Sequence, residues 1–275
     1  MSADVKKLGY EGAVQIVSGG SSVQLLASSA SFSVDSNTPT MVGIDMPPPT
    51  DASGAEVRSR FIYAVGTINS SGSLSFDCTD SFMPVLFNIC SQRGVRFDVR
   101  IAGGEGGVAM DDCYMTSVSL SGSSGGLVSG SMSFVSKNDW EDGAGFTPTH
   151  NDPISGTYEE PMAYWYTGSG SSADVKEWSL SISQSATPVF GNVPGVNPLY
   201  VRIGAMEASL TVLTYFEIKK LEQIVIKTNT AKIVSGVEDI RDFNFSTSEL
   251  STFSHTFMSV RPASGGSVGD VITFS

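Results

Sequence analysis

The 275-residue chain reads as a mainly β protein: two tandem β-sandwich or barrel domains, each with one short helix, joined by a linker rich in Pro, Gly and Ser. Three observations predict this. Short segments alternate polar and apolar residues with period two, the pattern of strands with one face buried. Charged residues are only 16% of the chain while glycines number 29, against a charged share of about 25% in ordinary soluble domains. That bias suits many short strands joined by turns, and surfaces hidden against neighbouring subunits. Finally, the order of elements in the first half recurs in the second.

Taken in order, Ser29-Ala30-Ser31-Phe32-Ser33-Val34, Ser71-Gly72-Ser73-Leu74-Ser75-Phe76 and residues 95–101, 116–120 and 130–135 all alternate. Turn signals separate them, among them Asn37-Thr38-Pro39, Asn69-Ser70-Ser71-Gly72 and Gly122-Ser123-Ser124-Gly125-Gly126. A short helix is expected after Thr79 or Asp80 as cap. Pro84 lies in its first turn, Val85, Leu86, Ile89 and Cys90 form its apolar face, and Gly94 closes it. A hairpin then pairs residues 114–120 with 127–135.

The second half repeats the series. Trp178-Ser179-Leu180-Ser181-Ile182-Ser183 echoes Ser31-Phe32-Ser33-Val34, and Thr187-Pro188 echoes Thr38-Pro39. Residues 199–204 parallel 61–66, and Ser209-Leu210-Thr211-Val212 matches Ser73-Leu74-Ser75-Phe76. A helical stretch over 215–223, a strand over 224–227 and a hairpin of 240–245 with 250–258 complete it. A period this long means duplicated domains, not a solenoid of short repeats. The expected boundaries are residues 1–140 for the first domain, 141–173 for the linker and 174–275 for the second domain.

The linker holds Pro148, Pro153 and Pro161 and the run Gly168-Ser169-Gly170-Ser171-Ser172. Its patch Tyr164, Trp165 and Tyr166 is too aromatic for a solvated tether and is expected to pack on a domain or a neighbouring subunit. A second long loop, residues 45–60, contains Pro47-Pro48-Pro49, and loops of that length are uncommon unless they bind something.

Acidic residues outnumber basic ones 28 to 16, a net charge of −12, and the excess is shared: 13 against 8 through Trp140 and 15 against 8 beyond it. Neither half is a basic nucleic-acid-binding module, and an acidic surface gains nothing from counterion release on phosphate. Cys78, Cys90 and Cys113 form no C-x-x-C pair and have no nearby His to complete a zinc site. They are expected to be small buried hydrophobes in a reducing compartment. The start, Met1-Ser2-Ala3-Asp4-Val5-Lys6-Lys7, leads into no apolar stretch, and no run of about 18 apolar residues could span a membrane. A soluble protein made in the cytosol is expected.

Groups for catalysis are sparse. His150 lies in the linker and His255 in the last alternating strand; they are the chain's 2 histidines. Residues 122–126 satisfy G-x-S-x-G, but a nucleophile elbow needs a strand before and a helix after, and strands are expected on both sides. The pairs Asp111-Asp112, Glu159-Glu160 and Glu238-Asp239 are neighbours in sequence. Adjacent strand residues point to opposite faces, whereas glycosidase carboxyls face each other about 5–10 Å apart. Gly103-Gly104-Glu105-Gly106-Gly107 lacks the Lys and following helix of a phosphate-binding loop and reads as a flexible connection. No enzyme activity, metal or cofactor is expected.

The repeated order of strands, helix, strand and hairpin resembles the tail-tube fold of long-tailed bacteriophages and related injection machines. The resemblance is carried by residues 73–101 and 116–135 and by their counterparts 209–227 and 240–258. It implies stacked rings, usually of six tube domains around a channel; a duplicated chain would close as a trimer with pseudo-sixfold symmetry. It also implies a place in the virion tail after synthesis in the host cytoplasm, with copies of itself and other tail proteins as partners. DNA would pass down an acidic lumen without specific binding, and the chain would not insert into a membrane. The alternating strands are expected to present serines to one face and Leu or Phe to the core. Contacts between rings are expected from the loops 45–60 and 103–112 and from the two termini, with Asp45, Pro47, Pro48, Pro49, Arg58, Arg60, Glu105, Asp111 and Asp112 as candidates. The alternatives are a hub, distal-tail or completion protein of the same machine, and a host- or carbohydrate-binding β module using Trp165.

Overall fold

The computed structural model describes residues 13–37, 40–42, 61–63, 67–79, 81–103, 106–123, 127–142, 163–165, 175–191, 197–215, 223–226, 229–233, 236–245, 247, 250–259 and 272–274. In chain order the elements are β1 (Ala13–Ser18), β2 (Ser21–Asn37), β3 (Thr40–Val42), β4 (Phe61–Tyr63), β5 (Thr67–Asp77), α1 (Met83–Ser91), β6 (Arg96–Gly103), β7 (Gly106–Ser123) and β8 (Ser129–Ser136). Then follow β9 (Trp140–Asp142), β10 (Ala163–Trp165), β11 (Val175–Val189), β12 (Tyr200–Thr214), β13 (Gln223–Ile226), β14 (Asn229–Ile233), β15 (Gly236–Asn244), β16 (Thr252–Ser259) and β17 (Ile272–Phe274). The protein is mainly β.

The period-two pattern explains most of these strands. In β5 and β8, Leu74, Phe76, Met132 and Phe134 are each 1% exposed, while Ser73 and Ser131, each one residue before the first of a pair, face outward. Eleven strands form one sheet. Within it β7, β6, β1, β2, β5 and β8 pair in turn, all antiparallel, and β8 returns to β7, so the pairings close on themselves. Closure of this kind leaves few exposed edges.

The apolar face of α1 enters the same core. Phe82, Met83, Leu86, Phe87, Ile89 and Cys90 are buried with Val14, Ile16, Phe76 and Phe97. Phe82 meets Phe76 edge-on at 4.9 Å between ring centres, and Phe97 meets Phe134 at 5.7 Å; edge-to-face pairs of this type add to the stabilisation from burial alone. The helix begins later than the expected cap. Phe82 is the N-cap and Pro84 sits in the first turn. Thr79 instead closes the preceding turn: its carbonyl accepts from the Phe82 and Met83 amides, both at 3.0 Å, and its Oγ1 from the Phe82 amide at 3.3 Å. Burial of Phe82 and Met83, at 0% and 2% exposure, fixes where the chain turns inward. Gly94, with φ +72, follows the helix end, a backbone state that glycine adopts without a Cβ penalty.

The second half repeats the pairing order of the first. β2, β5, β8 and β7 are neighbours in that order; so are β11, β12, β16 and β15. Leu74 lies between Ala30 and Met132, and its sequence counterpart Leu210 lies between Leu180 and Phe257. The two quartets are joined, since residues 177–183 of β11 pair with residues 117–123 of β7. Leu180, Ile182, Leu210, Val212 and Phe257 accordingly belong to one core cluster with the first-half residues. The second helix, expected over 215–223, falls mostly on residues outside those described, although Gln223 opens β13.

The segment 103–112, expected as a loop, is strand from Gly106 onward, and Gly103 pairs directly with Gly106. Ala109 and Met110 are 4% and 0% exposed, so this stretch is held by the core. A bulge hides its alternation: Phe97 is opposite Cys113 but Val99 is opposite Met110, which leaves Asp111 and Asp112 facing the single residue Asp98.

Two smaller sheets are β10–β13–β14–β17 and β3–β4. No helix among the described residues is long and apolar enough to cross a membrane.

Candidate functional site

The most extensive polar feature is a face of the large sheet covered by hydroxyls. Because β2, β5, β8, β7 and β11 each place serines at alternate positions, and β12 adds Ser209 and Thr211, the registers line them up across strands. Ser29, Ser75, Ser131, Ser119, Ser181 and Ser209 form one unbroken cross-strand row. Ser31, Ser73, Ser133, Ser117 and Ser183 form the next, which ends at Glu207. A third runs Ser129, Ser121, Ser179, Thr211, Thr256. Ser31 and Ser73 share a hydrogen bond of 2.8 Å between hydroxyls, and Thr211 and Thr256 one of 3.0 Å. The rows cross the β7–β11 join without interruption.

Such a surface offers donors and acceptors without net charge. It can hold water or touch a polar partner, but it has no cation to fix a phosphate. Where the rows reach the ends of β7 and β11, a groove of about 560 Å³ opens, lined in part by Ser121, Ser123, Glu177, Trp178 and Leu213. The Trp178 indole packs on Gly122, where an added Cβ would lie 2.8 Å from Nε1. This explains the glycine of the G-x-S-x-G match: it is a packing position at a strand end, and β8 follows where an elbow would need a helix.

Of the expected inter-ring residues, Asp111 and Asp112 alone fall among those described. Asp45, Pro47, Pro48, Pro49, Arg58, Arg60 and Glu105 lie outside the described residues, as do Tyr166, His150, Glu159 and Glu160. Asp111 and Asp112 are the bulge residues of β7. Asp112 has φ +55, and its carbonyl accepts from the Lys137 amide at 3.2 Å while three further contacts hold it there. Its amide donates to Asp98 Oδ1 at 3.0 Å, Arg96 forms an ion pair with it at 2.9 Å, and Asn138 Nδ2 donates to its Oδ2 at 3.2 Å. Asp112 therefore shapes the strand. Burial, followed by the nearby Asp98 carboxylate, raises the pKa of Asp111 above its ordinary value. Tyr164 and Trp165 belong to β10, opposite Ile224 and Gln223 of β13.

His255 is fully buried, its ring stacked between those of Phe253 and Phe257 at 6.2 and 6.1 Å. Among the described residues, no group of three or more His, Cys, Asp or Glu could hold a metal ion. The thiols are free and buried; desolvation pushes Cys78 and Cys90 up to about 12 and raises Cys113 well above its ordinary value. Thiols so far from ionising are poor nucleophiles.

The quartets end in two unlike strands. Residues 27–37 of β2 pair with β5 alone among the described residues, and β15 pairs with β16 alone. Both carry apolar side chains in partial contact with water: Ala30, Phe32 and Val34 are half-buried, while Ile240 is 50% and Phe243 56% exposed. Phe243 extends the Phe253–His255–Phe257 stack, 4.8 Å from the Phe253 ring, so the apolar layer runs out to an open edge.

No protein-family model matches this chain, and no curated protein matches its sequence. The cross-strand rows and open edges were not evident from any single segment. Only the serine alternation within each strand signalled them.

Proposed function

We propose that this chain is a structural subunit of a bacteriophage tail tube, polymerising into stacked rings, trimeric and pseudo-hexameric, that enclose a channel for DNA. The observation that carries the reading is the repeated quartet: β2–β5–β8–β7 and β11–β12–β16–β15 have the same order and lie edge to edge in one sheet. A chain that already contains two staves of a larger wall is economically explained as part of a closed cylinder.

Two features agree with it. The net charge of −12 disfavours phosphate binding, and the hydroxyl rows supply a wide uncharged face of the sort a passing polyanion would slide along. Residues 27–37 of β2 and strand β15 end the two quartets with apolar groups half-buried on β2 and exposed on β15, a liability for a monomer that natural proteins remove by covering the edge. Negative-stain electron microscopy of the purified protein tests the proposal. Rings or tubes with a central channel are expected; particles that remain single chains at every concentration would refute it.

A further inference from the structure

We infer that copies of this chain join through one defined contact: β15 of one copy adds to residues 27–35 of β2 in the next, antiparallel, in the register of the internal β7–β11 join. The inference deepens the tail-tube reading and rests on its assembly into rings, but its argument comes from this chain's own pairings.

The pairings fix which residues correspond. Leu74 and Leu210 occupy the same place in the two quartets, so their β2 and β11 partners, Ala30 and Leu180, correspond, as do Ser31 and Ser181 one residue on. On the other side Ser131 and Thr256 correspond, through their partners Ser75 and Thr211. Their next neighbours, Ser119 on β7 and Ile240 on β15, then correspond in turn. Inside the chain Ser119 is paired with Ser181. The equivalent pair between copies is Ile240 with Ser31.

Burial separates the made join from the unmade one. Where β7 covers β11, Leu180 and Ile182 are 0% and 1% exposed. Their counterparts Ala30 and Phe32 are only half-buried, because nothing described occupies the equivalent place beside β2. Leu120 and Val118, at the corresponding end of the first quartet, are each 1% exposed, whereas β15 is exposed along residues 239–244. Placing β15 against β2 would give each strand a partner on the side where none is described, with Ile240 lying between Thr256 and Ser31 of the next copy. The contact joins two different edges, so it propagates head to tail and closes a ring if the rotation allows.

The test is disulfide trapping of Ser31→Cys and Ile240→Cys, made singly and together in the full chain. Directly opposed residues of antiparallel strands have Cα atoms about 4.5–5.5 Å apart, within disulfide reach. The buried native thiols keep the background low. The double variant is expected to oxidise to a ladder of multiples of 28.9 kDa on a non-reducing gel, and each single variant to stay at the position of one chain. Either single variant cross-linking as efficiently as the double would overturn the pairing in favour of like edges meeting. Rings seen by microscopy with no ladder would overturn this contact and leave the tube reading standing. A double variant and wild type that both remain single chains by light scattering would sink the two together.

Discussion

Replacing Leu180 with Ala would measure the strength of the join between the quartets. Leu180 is wholly buried, flanked by Leu120 on β7 and Leu210 on β12. The substitution removes three carbons, about 2.4 kcal/mol at about 0.8 kcal/mol per buried carbon. The surrounding strands are held by hydrogen bonds and can collapse only partly, so a cavity term raises the expected loss to about 3–4 kcal/mol, within the range of about 2–5 for such changes. For a chain of this size the melting midpoint should fall by about 10 °C. Urea unfolding followed by far-ultraviolet circular dichroism and by tryptophan fluorescence measures it, because Trp178 sits at the same join beside Gly122. Both signals should shift together. A loss below about 0.5 kcal/mol, the size typical of surface positions, would mean that β11 is not covered by β7, and the internal template for assembly would fall with it.

Two further outcomes concern the bulge. Asp112→Ala and Asp112→Gly both lose the Arg96 ion pair, but only alanine meets the steric penalty of φ +55. After allowing for the looser unfolded chain of the glycine variant, alanine should be the less stable by about 0.5–1 kcal/mol in urea titration; equal or reversed stabilities would refute the assigned backbone state. For Asp111 the folded pKa is raised, so the folded protein holds that proton more firmly than the unfolded one, and the ionised carboxylate works against folding at neutral pH. Asp111→Asn should therefore melt higher than wild type at pH 7, with the gap closing as pH falls through the raised folded value towards 3.8, below which both states are protonated. A gap that does not change with pH would show that the carboxylate's charge is not the cause.

Period two is a local property, and what it controls was readable in advance. The strands around Leu74, Phe97, Met132 and Leu210, the hairpins β7–β8 and β15–β16, and the single described helix follow from spacing alone. Features set by distant contacts were not. The alternation of β7 shifts phase at Asp112 because an extra residue is accommodated opposite Asp98, and a phase shift beside four glycines looks like a loop. Thr79 has the chemistry of a cap, yet burial of Phe82 and Met83 moves the helix start three residues on. The pairing of β11 with β7 brings together segments more than fifty residues apart, and nothing in either announces the other. Of the candidate site, each serine was visible while their alignment into rows was not, since a one-residue slip at any of five registers would have scattered them.

The alignment bears on the conditions the protein can tolerate. A row from Ser29 to Ser209 contains no group that gains or loses a proton in water between acid and alkaline extremes. The wetting of that row is consequently indifferent to acidity and to ionic strength, unlike one made of paired lysines and glutamates. Whatever touches it meets the same material in cytoplasm, seawater or soil.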